Sequence, residues 1–169
     1  MRVLHVVKSL DRGGAEVLLI ETGRASRPEV VPSYAYFLRR SSAVVSELAS
    51  IGGVTCLGAT NNADLFSRVP DLSRLLRRER PDIVHAHLPL AGVAARWAGA
   101  ETGIPVVYTE HNSFHGYHPA TQVLARATWR LQRAVIAVSD DVRQSLPESV
   151  NDPPVFLVPN GVPVQVPKI

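Results

Sequence analysis

The feature that most constrains this chain is a repeated alternation of short apolar runs with segments of helical spacing. The runs are Val3–Val7, Ser33–Leu38, Val54–Leu57, Ile83–His87, Val106–Glu110, Ala134–Val138 and Val155–Val158. Between them, apolar residues recur at helical intervals: Ala15, Leu18, Leu19 and Thr22; Val44, Val45, Leu48 and Ala49; Leu72, Leu75 and Leu76; Val123, Leu124, Ala127 and Leu131. Pro70, Pro89 and Pro119 stand where a first helical residue belongs, and Gly52-Gly53 and Gly103 stand where helices should stop. Strand–helix alternation at these lengths produces right-handed βαβ units, and strands apolar on both sides, such as "IPVVYT", belong in a sheet covered on both faces. The expected fold is α/β: a Rossmann-like, doubly wound, mostly parallel sheet of about seven strands with helices on both faces.

A chain of 169 residues, 46% apolar and 20% charged, is one globular domain large enough to bury a core without staples. The lone cysteine, Cys56, excludes an internal disulfide and is expected in buried packing. No run of about 18 apolar residues crosses a membrane, and the start is too short in apolar residues for a signal peptide, so a cytoplasmic location is expected. Six of the thirteen prolines fall between residues 147 and 169, where proline denies the chain a helix or central strand. Residues 1–158 therefore read as the domain and 159–169 as the start of a linker.

The net charge of +3 comes from arginine, clustered at Arg39-Arg40 and at Arg74, Arg77, Arg78 and Arg80. Such a cluster reads first as a solvated helix face. Its sharper reading is weak peripheral association with an anionic membrane, at the inner face. Nucleic acid is not expected, because no aromatics interleave with the arginines as a stacking surface would require.

In a doubly wound sheet, ligands gather at the carboxyl ends of the strands. The loop after the first strand carries Gly13 and Gly14, where absent side chains let the backbone turn tightly and let a ligand approach the amides. The following helix offers unpaired N–H groups and a positive dipole end, a phosphate site in waiting. A plain tight turn explains the same glycines. The sequence "GGAEVL" lacks the third glycine of a dinucleotide fingerprint, and the second strand ends without a ribose-binding carboxylate. No Gly-Lys-Ser/Thr follows, so this is no P-loop.

Histidines concentrate at predicted strand ends. His85 and His87 share one face of the fourth strand, and His111, His115 and His118 follow the fifth, so all five can converge on a crevice near Gly13 and Gly14. The spacing is loose for a metal centre, and no metal is expected; His5, in mid-strand, reads as structural. The remaining reading is polar recognition of a hydroxylated substrate by neutral imidazoles. Glu16 and Glu110 are candidate bases near that crevice, although Glu16 in a first helical turn also suits the dipole. Ser139-Asp140-Asp141 reads as a helix cap.

Taken in order, "DRGGAE", "RPDIVHAHLP", "IPVVYTEHN", "RAVIAVSDDV" and "VPNGV" resemble the N-terminal domain of a GT-B glycosyltransferase of the retaining family-4 type, from Arg2 to about Val162. The resemblance implies two facing Rossmann-like domains, the N-terminal one receiving the acceptor and the C-terminal one gripping a nucleotide diphosphate sugar. It places Gly13 and Gly14 by the donor diphosphate and His111 by the transferred sugar. Glu16, His87, Glu110, Asn112, His115 and His118 would face acceptor or sugar, and Asn160-Gly161 would lead to the second domain. It implies retention of anomeric configuration without an obligatory metal. The donor-binding half is missing from this sequence, so the chain is expected to be an acceptor-side domain, inactive until a donor half joins it in cis or in trans. A freestanding module binding a phosphorylated ligand is the alternative; an NADP oxidoreductase is a weaker one.

Overall fold

A computed structural model describes residues 1–39, 43–147 and 152–161. Seven strands, β1 (Arg2–Val7), β2 (Val31–Leu38), β3 (Gly53–Ala59), β4 (Ile83–His87), β5 (Val106–Glu110), β6 (Ala134–Ala137) and β7 (Val155–Leu157), form one sheet. Their order is β3-β2-β1-β4-β5-β6-β7 and every pairing is parallel. Each predicted strand is present, with ends shifted by a residue or two. Arg40 and residues 162–169 of the expected linker lie outside the described residues.

The helices are α1 (Gly14–Arg24), α2 (Val45–Ala49), α3 (Asp64–Ser67), α4 (Val69–Glu79), α5 (Pro89–Thr102), α6 (Pro119–Thr128) and α7 (Asp140–Ser145). Pro89 and Pro119 open α5 and α6 as expected, and Gly103 closes α5 in the left-handed conformation at φ 74°. Ser139 caps α7 by accepting from the Val142 amide at 3.2 Å. Pro70 is the second residue of α4, not its first. The short α3 follows Asn61, whose Oδ1 accepts from the amides of Ala63 and Asp64 at 3.0 Å, and it buries Leu65 in the core.

Helices lie on both faces, but unequally. On one face Leu19 and Ile20 of α1 and Leu48 of α2 pack with Val7, Tyr34 and Tyr36. On the other, Leu72 and Leu76 of α4, the alanines of α5 and Trp129 cover Leu4, Val6, Val84, Ala86 and Val135. Helix α5 lies close against the sheet: a Cβ on Gly92 would come within 2.8 Å of the Tyr108 ring. Charge is buried there too. Arg96 is fully buried between the rings of Tyr108 and Trp129, at 4.6 and 5.0 Å, and donates to Gln132 at 2.6 Å.

This unequal cover places the site. The first two crossovers wrap one face, the chain then returns through α3 and α4 on the other, and strand order reverses between β1 and β4. On the α1 face, β4, β5 and β6 are left half-buried at His85, Val107 and Ile136, while His87 and Thr109 at the carboxyl ends of β4 and β5 are buried. Cys56 corrects the sequence reading: it is exposed, because β3 is an edge strand paired only with β2.

Candidate functional site

Gly13 is the N-cap of α1, at φ −135° and ψ 178°, and Val17 donates to its carbonyl at 3.0 Å. Neither glycine of the pair has a positive φ. The turn therefore does not depend on a left-handed backbone at either position. A Cβ on Gly13 would sit 2.6 Å from Oε2 of Glu16, whereas one on Gly14 would meet nothing within 4 Å. Glu16 folds back over the first turn and accepts from its own amide, and burial raises its carboxyl pKa. A carboxylate thus lies where the dipole and free amides of α1 attract an anion.

The imidazoles form a stack across the central sheet. His5 and His85 are register partners on β1 and β4, and His87 pairs with Thr109 on β5. Nδ1 of His5 lies 3.1 Å from Nε2 of His87, and Nδ1 of His87 lies 3.3 Å from Nε2 of His111. His85 contacts the Thr109 hydroxyl through Nε2 at 2.7 Å, and its ring lies 4.2 Å from that of His87. Burial pushes His5 down to about 3 and His85 to about 4, and it also lowers His87 and His111, so the rings are neutral near pH 7. The sequence reading left His5 out of this group. Only the β1–β4 pairing brings it in.

His115 and His118 do not join them. Both are exposed, and His118 caps α6 by accepting from the Ala120 amide at 3.2 Å. Glu110 is also turned away. Its side chain lies on the α5 face, fully buried, with Oε2 accepting from Tyr108 at 2.7 Å and Oε1 from Tyr117 at 2.5 Å. Oε1 further accepts from the amides of His111 and Asn112, at 3.0 and 3.4 Å. Burial raises its pKa while these bonds oppose the rise. Glu110 is a strut for the loop after β5, buried on the face opposite His111.

Two openings meet the first turn of α1. One, of about 200 Å³, is lined by His5, His85, His87, Thr109, His111, the inner side of α1 and residues 158–161. The other, of about 350 Å³, joins Gly14, Ala15, Glu16, Leu88, His111, Asn112 and Asn160. A neighbouring groove of about 290 Å³ is lined by Lys8, Leu88, Pro89, Leu90, Asn112, Tyr117 and Thr121. Leu88, which precedes α5 and borders both, holds φ 68° and ψ 154°, a strained backbone for leucine. Sequence reasoning missed Leu88, Thr109 and Tyr117; only the "HLP" proline hinted at a fixed bend beside Leu88.

The arginines of α4 are engaged elsewhere: Arg74 with Asp71, Arg77 with Glu101 at 2.6 Å and Arg78 with Glu79 at 3.2 Å. This is a solvated ion-pair face. No helix among the described residues is long and apolar enough to cross a membrane.

A sequence model of Glycosyltransferase Family 4 matches residues 1–166. No curated protein matches the sequence. Among solved structures, Anabaena Alr3699/HepE in complex with UDP and glucose is similar over 96% of this chain and 45% of its own, with a TM-score of 0.76 and 20% identity. The lipopolysaccharide outer core galactosyltransferase WaaB aligns over 98% of this chain and 47% of its own, with a TM-score of 0.74 and 18% identity. Acinetobacter baumannii MurG aligns over 96% and 47%, with a TM-score of 0.68 and 12% identity. At these identities the likeness is one of fold, and the chain spans about half the length of each of these three structures.

Proposed function

The chain belongs to glycosyltransferase family 4, and from that premise we propose that it is the acceptor side of a retaining glycosyltransferase. It would take part in moving a sugar from a nucleotide diphosphate sugar to an acceptor hydroxyl. The observation that carries the reading is the single opening shared by Gly14, Ala15, Glu16, His111, Asn112 and Asn160. It sets helix-terminal amides opposite an imidazole, across a space open to solvent.

In the proposed mechanism, the transition state gathers negative charge on the leaving diphosphate and positive charge on the sugar. Amides at Gly14 and Ala15, with the α1 dipole, stabilise the phosphate charge. The Glu16 carboxylate swings off the turn as the phosphate arrives, since the two anions repel. His111 orients the sugar through its hydroxyls, held in place by His87 behind it and by the Glu110 bond to its amide. Asn112 and the groove beside Leu88 and Tyr117 receive the acceptor. No step calls for an obligatory metal. Asn160 and Gly161 lead toward a donor-binding half, supplied in cis or in trans, which grips the nucleotide.

The test is sugar transfer from labelled nucleotide diphosphate sugars, measured for residues 1–169 alone and joined to a donor-binding half. Transfer is expected only for the joined protein, and His111→Ala is expected to lower its rate by at least about 100-fold, the scale of a lost electrostatic or orienting contact. Transfer by the chain alone, or an unchanged rate in the variant, would overturn the reading.

A further inference from the structure

We propose that His5, His85 and His87 form a three-imidazole site for a borderline transition-metal dication of the zinc or nickel class, on the floor of the cavity beneath α1. One ring nitrogen from each of the three lies within 4.8 Å of the other two. Nδ1 of His5 and Nε2 of His87 already face each other at 3.1 Å. Two imidazole ligands of a tetrahedral zinc, each at about 2.0–2.1 Å, sit roughly 3.3–3.4 Å apart. Little movement separates the two arrangements.

The donor set decides the class of ion. Three imidazoles with no carboxylate in the group suit zinc, nickel or copper and not magnesium or calcium, which need oxygen ligands. A metal takes a lone pair of the neutral ring. Each neutral ring carries one N–H and one lone pair. With Nδ1–H of His87 donated to Nε2 of His111, the Nε2 lone pair of His87 faces the gap. His5 presents Nδ1 once its proton rests on Nε2. His85 is held by Thr109 through Nε2, which leaves Nδ1 for the ion. These outer contacts fix ring orientation as second partners of metal-bound histidines do. The rings project from register-paired strands at the sheet centre, and the adjoining space of about 200 Å³ admits a water as fourth ligand. The site does not depend on sugar transfer, so the two readings stand or fall separately.

The test is titration of chelator-treated residues 1–169 with Zn²⁺ by calorimetry and with Co²⁺ by visible absorption. One ion per chain is expected, with the strong absorption of four-coordinate cobalt. His5→Gln and His87→Gln should each abolish it, and Thr109→Val should weaken it about 10- to 100-fold. A His115→Gln/His118→Gln double variant, altered only at the surface, should bind as the parent does. Absence of stoichiometric binding, or binding that survives both buried variants, would overturn the proposal. If a buried variant fails to fold, the parent decides by ¹⁵N imidazole spectra: Zn²⁺ must shift residues 5, 85 and 87. Shifts confined to His115 and His118 would overturn it.

Discussion

His87 joins two imidazoles from different strands: Nε2 meets His5 on β1 at 3.1 Å and Nδ1 meets His111 beyond β5 at 3.3 Å. Both of its nitrogens are used and it is 4% exposed. Replacing it with alanine removes a buried ring and leaves two partners short of a hydrogen bond. His87→Ala is expected to destabilise the metal-free protein by about 2–4 kcal/mol, read from urea unfolding. A loss under about 0.5 kcal/mol would mean the three rings do not interact as placed.

The two glycines should behave differently. Gly13→Ala pushes the flexible Glu16 carboxylate aside and should change stability by less than about 1 kcal/mol. Gly14→Ala enters open space in a first helical turn and should stabilise by about 0.5–1 kcal/mol. If the amides bind phosphate, Gly14→Ala also weakens binding of a nucleoside diphosphate by the joined protein. Thermal unfolding and calorimetry measure the two effects, and equal stability changes in the two variants would contradict the spacing described here.

Glu110→Gln replaces a carboxylate that accepts two phenols and two amides with a group having one acceptor oxygen. The expected cost is about 1–3 kcal/mol, with faster amide exchange at His111 and Asn112. Because the folded-state pKa of Glu110 is raised, its contribution is full below the unfolded value and is lost as pH rises through the folded one. The parent's advantage over the glutamine variant should therefore narrow as pH increases. An advantage that widens would assign the raised pKa to the wrong group.

Cys56 on the β3 edge is exposed, so the native protein should react with a thiol reagent at one site per chain, at a rate little changed by denaturant. Labelling that requires unfolding would restore the buried position that the sequence suggested.

The strands and helices were legible because hydrophobic period and Gly/Pro punctuation are local properties. Val3–Val7 or Ile83–His87 declares itself without reference to the rest of the chain. The position of Gly13, Gly14 and His111 at one edge of the sheet was legible for a related reason: in a parallel sheet, every loop after a strand lies at the carboxyl edge. The partly covered α1-side face of β4 to β6 was not legible, since nothing local says which strands α1 and α2 will cover.

The amino-acid order alone thus determined the α/β class, the seven strands and the loop that carries the glycines. Tertiary structure decided which of those pieces meet. Placing β1 beside β4 brought His5 onto His85 and His87, and the alternation of side chains along β5 turned Glu110 to the far face from His111. The same packing left His115 and His118 in solvent and Cys56 on an edge. The physical reason is that strand order and face are settled by long-range burial and crossover handedness, which no short window of sequence contains.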